Sequence, residues 1–212
     1  MKRLAIFGAS GHGKVVAEIA ELCGWNEVVF FDDNNDKHKL ENWIVFGDMN
    51  KLISESQNFD GCIVAIGDNN IRCNKLEILF SNGLKNIISL IHPSSIVSSH
   101  SEIGTGTVIM AGTVINSFSK IGVGSIINTS SIIEHDNDLK NFVHISPGVN
   151  TSGGVKVGTK SWIGAGSSIK QNLTIGNNVV IGMGSVVLEN IPDNSIAFGI
   201  PAKIKNNKQK NA

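Results

Sequence analysis

Neither sign of charge is in surplus in this chain. Lys plus Arg number 18 and Asp plus Glu number 18, so the net charge at neutral pH is zero. No run of like charges builds up anywhere. A nucleic-acid binder draws most of its affinity from neutralising phosphates, and this balance speaks against that class of partner. Long apolar runs are missing too, since none approaches the roughly 20 residues that cross a bilayer. The start, Met1-Lys2-Arg3 followed by apolar Leu4–Phe7, superficially resembles a secretion signal, but the apolar stretch ends at Gly8 in polar, Gly-rich sequence. Cysteine is scarce: Cys23, Cys62 and Cys73 are odd in number, show no C-x-x-C spacing, and leave the chain after residue 73 without a thiol. That pattern fits a reducing compartment and gives no basis for a metal cluster. The expectation is a cytoplasmic protein with no metal.

What the chain does have is a period. Every sixth residue from Ile91 through Val97, Ile103, Ile109 and onward to Val187 is Ile, Leu or Val, with Thr151 the one exception. Gly often follows the aliphatic residue (Gly104, Gly122, Gly158, Gly164), and a small or β-branched residue often sits four after it (Thr107, Thr113, Ser125, Ser161). An amphipathic helix cannot produce a six-residue period, and a β-sandwich resets its alternation at each loop. The physical reading is a solenoid of short β-segments. Each hexad gives one inward aliphatic, a tight turn eased by Gly, and a small residue at the corner. If three hexads make a coil, residues eighteen apart stack in columns, and side chains alternate along each segment. One outward column is then Leu90, Val108, Ile126, His144, Trp162 and Val180, an apolar wall that reads as a subunit interface. A second, Glu102, Lys120, Asp138, Lys156 and Thr174, is polar.

Before residue 90 the composition is different, mixing charged, aromatic and aliphatic residues in helix-sized and strand-sized blocks. The expected division is an α/β domain over 1–88 and a β-helix with its tail over 89–212. In the first, strand 2–7 runs into Gly8-Ala9-Ser10-Gly11-His12-Gly13, followed by a helix with Val15, Ile19 and Leu22 at helical spacing. A second strand, 28–31, ends in Asp32-Asp33, and a third, 62–66, ends in Gly67-Asp68-Asn69. Strand, Gly-rich turn, helix, strand, acid is the layout of a Rossmann-like βαβ nucleotide-binding unit. The glycine spacing is G-x-x-G-x-G rather than the dinucleotide G-x-G-x-x-G, and a mononucleotide-sugar suits so small a domain better. The bland alternative is a tight strand-to-helix turn.

The chain resembles the bacterial hexapeptide-repeat sugar acetyltransferases of the bacillosamine, perosamine and sialic-acid type. The resemblance is carried by GASGHGKVVAEIA (8–20), FFDD (30–33), AIGDNNIR (65–72), LIHPSSIV (90–97), NTSSIIEHD (128–136) and GIPAK (199–203), which span both parts of the chain. It implies a left-handed parallel β-helix, a homotrimer with active sites between subunits, acetyl-CoA as acetyl donor, and a nucleotide-sugar acceptor, UDP-linked. It carries over to Ser10, Gly11, His12, Asp32, Asp33 and Gly67 as holders of the nucleotide-sugar. It also implies that His135 is the general base with the following acid, Asp136, raising its basicity. The family often has Glu where this chain has Asp136. His144 would lie near the thioester, with backbone around Ala165 and Met183 lining the donor. Asn128 is a candidate wall of the sugar pocket, or else a solvated turn residue.

The residues support the same chemistry by another route. Acyl transfer to an amine needs a base near neutral pH, and without a cysteine in the coils the attack is direct. His135 lies between Glu134 and Asp136, either of which can hold its ring, and its column, Ser99, Ser117, His135, Gly153 and Gln171, leaves room beside an imidazole. For His144 the alternative is plain packing against Trp162. Lys203, Lys205, Lys208 and Lys210 are either partners for donor phosphates or a basic tail. The competing functions are O-acetylation of sialic acid or a related sugar, and a non-catalytic scaffold.

Overall fold

A computed structural model describes residues 1–34, 36 and 38–205. In the N-terminal part, β1 (Arg3–Phe7), β2 (Glu27–Phe31), β3 (Lys39–Leu40), β4 (Trp43–Gly47) and β5 (Gly61–Val64) form one sheet in the order β3-β4-β2-β1-β5. It is parallel except for the β3–β4 pair. Helix α1 (Gly11–Leu22) packs on one face of this sheet, while α2 (Met49–Ser54) and α3 (Asn69–Ser81) join the apolar cluster on the other. Of the three helical positions expected to face the core, Ile19 is buried, whereas Val15 and Leu22 are exposed. Gly13, Val16, Ala17 and Ala20 face inward instead, at i, i+3, i+4 and i+7, because small residues let the helix lie close to the strands. β3, β4, α2 and α3 went unread in the sequence.

From Leu90 the chain winds as a parallel β-helix. Two-residue strands stack into three walls, and Lys120 pairs with Asp138, Ile126 with His144 and Ile132 with Asn150, as the columns required. The inward positions from Ile109 to Val187 are all sealed, Thr151 included. Burying one such aliphatic side chain contributes roughly 1.5–3 kcal/mol. The small residues four places on form an inner polar ladder. The hydroxyls of Thr107, Ser119 and Ser161 donate to the carbonyls of Gly122, Glu134 and Gly176 one coil up, at 3.0, 2.7 and 2.6 Å.

Glycine after the inward aliphatic has a different cause from the one expected. It does not ease the turn. A Cβ on Gly104 or Gly122 would meet the backbone of the next coil at 2.5 Å, so glycine is there for close stacking. The left-handed backbone falls two residues later, at Gly106, Phe118, Gly124, Asp136 and Phe142.

The apolar wall also needs correction. Its first half, Leu90, Val108 and Ile126, shares one buried cluster with Leu4, Ile6, Val16 and Ala17, so this chain's own N-terminal sheet and α1 cover it. No neighbour is needed there. Only its upper half, at Trp162 and Val180, is exposed. Above it, Ile196–Gly199 pairs with Val180 and Ile181, and Ala202–Ile204 folds back on it as a hairpin. Among the described residues no helix is long and apolar enough to cross a membrane.

Candidate active site

Two of the three glycines after β1 are fixed by packing. Gly8 has φ +115° with Ala65 O 2.7 Å from its Cβ position, and a Cβ on Gly13 would lie 2.3 Å from Gly8 O. Gly11 is different: nothing lies within 4 Å of its Cβ position. Ser10 stands at the N-cap of α1 without a side-chain capping bond. The turn therefore offers backbone and open space at a helix N-terminus, an arrangement suited to phosphate. Asp32 closes it from the β2 end, with Oδ2 accepting from Ala9 N at 2.8 Å and Oδ1 from Asn34 N at 2.9 Å. Asp33 turns the other way, paired with Lys75 and accepting from Met49 N.

The wall of His144 meets this domain at Gly67. His144 Nδ1 lies 3.3 Å from Gly67 O, a pure acceptor, so Nδ1 carries the proton. Nε2 faces Asn128 Nδ2 at 3.5 Å. The imidazole is stacked on Trp162, with centroids 5.6 Å apart and planes 14° apart. Burial pushes His144 down to about 4, the Arg72 guanidinium adds to this, and the Gly67 bond opposes it. His12, with Nε2 buried and without a hydrogen-bond partner among the described residues, is also pushed down to about 4, by burial first, then by His144 and Arg72. Both rings are neutral at pH 7.

Two hollows share Trp162 and Val180. One, of about 410 Å³, is bounded by Gly67, Asn69, His144 and Lys160. The other, of about 360 Å³, is almost wholly apolar and is bounded by Pro147, Ala165, Gly182 and the exposed Met183. The two hollows adjoin at those shared side chains. Lys203 and Lys205 follow in the hairpin region, whereas Lys208 and Lys210 lie outside the described residues.

His135 is elsewhere. It sits at the corner between the wall of Ile132 and the polar wall of Asp138, while His144 begins a strand of the third wall. Its ring is 63% exposed, and Asp136 Oδ2 lies 2.7 Å from Nδ1. Glu134 is occupied by Asn116 Nδ2 at 3.0 Å, so it does not hold the ring. A Cβ on Gly153 would meet the ring at 2.5 Å, so the imidazole packs directly against that glycine. With Nδ1–H directed at a carboxylate, Nε2 keeps its lone pair and can take a proton. One chain thus gathers Ser10, Gly11, His12, Asp32, Gly67, Asn128, His144, Ala165 and Met183 along one side and leaves His135 and Asp136 on another corner. The sequence reading missed Arg72, which is 1% exposed and bridges the two halves of the chain. An Arg on a helix ordinarily reads as surface, and no signal marked it.

A β-helix built of hexads and joined to a small, mostly parallel sheet domain is the architecture of the hexapeptide-repeat acyltransferases. Residues 3–91 match the PglD N-terminal domain family, and residues 154–189 match the bacterial transferase hexapeptide (six repeats) family. Perosamine N-acetyltransferase from Caulobacter crescentus, a His-to-Asn variant in complex with CoA and GDP-perosamine, superposes with TM-score 0.92 at 34% identity, covering 97% of each chain. The acetyltransferase domain of PglB from Neisseria gonorrhoeae, in complex with acetyl coenzyme A, superposes with TM-score 0.92 at 40% identity over 96% of this chain and 99% of that one. UDP-N-acetylbacillosamine N-acetyltransferase of Bacillus subtilis is 37% identical over 118 residues, and this match spans about half of each chain, 52% of both. The chain belongs to the PglD-type hexapeptide-repeat sugar N-acetyltransferase family.

Proposed function

We propose that this protein transfers the acetyl group of acetyl-CoA to the 4-amino group of a UDP-linked amino-deoxy sugar, in a homotrimer whose active sites lie between subunits. The observation that carries this is the separation within one chain. The nucleotide turn and the channel beside His144 lie on one side, while the only exposed imidazole–carboxylate pair among the described residues, His135 with Asp136, lies on another corner. A neighbouring copy that brings its corner to this chain's channel completes the set.

In that arrangement Ser10, Gly11 and His12 receive the diphosphate, with Asp32, Gly67 and Asn128 around the nucleoside and sugar, while Asp33, turned towards Lys75, takes no part. His144, Ala165 and Met183 border the pantetheine arm and thioester. His135 Nε2 takes a proton from the attacking amine as its nitrogen bonds to the thioester carbonyl carbon. Asp136 stabilises the imidazolium that forms. The C–S bond then breaks, and the CoA thiolate leaves with the proton returned by His135. The relatives' ligands support this reading: one structure holds CoA with GDP-perosamine and another acetyl coenzyme A. UDP follows the bacillosamine relative, 37% identical over 52% of this chain, and GDP is the alternative that the GDP-perosamine enzyme of Escherichia coli O157:H7 supplies at 29% over 81%.

A thiol-release assay with acetyl-CoA tests it against UDP-4-amino-sugars, GDP-perosamine and free sialic acid. Turnover is expected with the UDP-amino-sugar. A preference for GDP-perosamine changes the nucleotide, turnover only on sialic acid changes the reaction to O-acetylation, and no CoA binding in a thermal-shift titration leaves a scaffold.

A further inference from the structure

Arg72, on α3, is 1% exposed and makes no ion pair with any described residue. Its guanidinium donates instead to neutral oxygens on both sides of the seam between sheet domain and coils. Nε reaches Gly124 O at 2.6 Å, and Nη2 reaches Phe142 O at 3.1 Å, both on left-handed corners of the β-helix. Nη1 holds Ile66 O and Gly67 O at 2.9 and 3.0 Å, while Nη2 also holds Asn69 Oδ1 at 2.6 Å. Gly67 O is the same oxygen that accepts from His144 Nδ1. Burying a cation without a carboxylate is costly, and a planar five-donor fork among fixed carbonyls offsets that cost as a lysine cannot.

We propose that Arg72 is a positioning residue: by tying Ile66 and Gly67 to two corner carbonyls of the coils, it holds the Gly67 oxygen against His144 and so sets which ring nitrogen of His144 carries the proton. The catalytic consequence rests on the reading that His144 faces the thioester; the tautomer does not. Nitrogen-15 imidazole spectra of histidine-labelled protein at pH 7.5, with His144 assigned by His144→Asn, report the tautomer directly. The parent is expected as the Nδ1–H form. Arg72→Met and the milder Arg72→Lys are expected to shift His144 towards a mixture and to lower kcat about tenfold, the scale of a small misplacement near the reacting atoms.

Leu76→Ala separates this from simple loosening. Leu76 packs at the same seam, close to Gly124, and its aliphatic side chain offers no hydrogen bond to Gly67 or His144. It is expected to lower the melting temperature while keeping both the parent tautomer and kcat. An unchanged tautomer in Arg72→Lys, or the same shift in Leu76→Ala, overturns the proposal. A parent protein inactive with every acceptor overturns the acetyl-transfer reading, and the spectra still decide the role of Arg72.

Discussion

Asp136 Oδ2 lies 2.7 Å from His135 Nδ1, and Asp136 reaches that position from a left-handed backbone, φ 60°. The carboxylate is adjacent in sequence to the ring it holds, and the corner turns both side chains outward together. His135→Ala is therefore expected to cut kcat about 10²–10⁴-fold, the range for loss of a general base. Its mass by light scattering should remain that of the parent protein. Near-parent kcat in this variant rejects the assignment.

Asp136→Asn separates charge from shape. Asn is at home in the left-handed region, so the corner should hold and the melting temperature stay close to the parent's. The amide neither stabilises an imidazolium nor fixes one tautomer. Turnover should fall about tenfold, well short of the loss in His135→Ala. An Asp136→Asn enzyme as slow as His135→Ala would mean that the acid itself touches substrate.

Gly153→Ala tests the bed on which the imidazole lies. The new methyl group would sit 2.5 Å from His135 Cε1, and an exposed ring can swing away where backbone could not. The expected result is a large drop in kcat with little change in thermal stability. A normal kcat would show that the ring's resting position is not its working one.

His12 and His144 set an acid limit. Both are held at about 4 against an ordinary 6.5, with burial the main cause. Between those values the unfolded chain binds protons that the folded one refuses. Stability is then full above pH 6.5 and falls as the pH drops towards 4, on the order of 3 kcal/mol for one such group. Urea midpoints at pH 7.5, 6 and 5 should show the decline, and His12→Asn combined with His144→Asn should flatten it. An unaltered slope in the double variant would place the acid sensitivity elsewhere.

Mixing tests the division between chains. The His135→Ala and His144→Ala proteins should each be nearly inactive. Unfolded and refolded together, they should regain activity, since some sites then pair an intact His135 with an intact His144. No recovery would mean that each chain works alone.

Much of the β-helix was legible because its period repeats in plain view. Ile109, Ile127 and Ile145 are inward for one shared reason, so a single register places every wall. His135 stood out because its neighbours are a carboxylate and, one coil up, a glycine. Less legible were features that depend on distance in space rather than along the chain. Leu90, Val108 and Ile126 read as an interface, and nothing local reveals that residues as far back as Leu4 cover them. Gly104 and Gly122 read as turn residues because proximity to the next coil leaves no mark in the sequence of one coil. Arg72 escaped for the same reason, since its partners Gly124 and Phe142 lie 52 and 70 residues away.

Corner bonds such as Val123 N to Asn141 Oδ1 join residues 18 apart, one circuit of the solenoid. Lengthening beyond Trp162 by one whole circuit would return each later side chain to its own wall, one storey higher. Adding six residues would instead swing Met183 and its neighbours a third of the way round, away from the channel. Growth of this hollow is thus quantised, and homologues of different length should differ there in whole storeys.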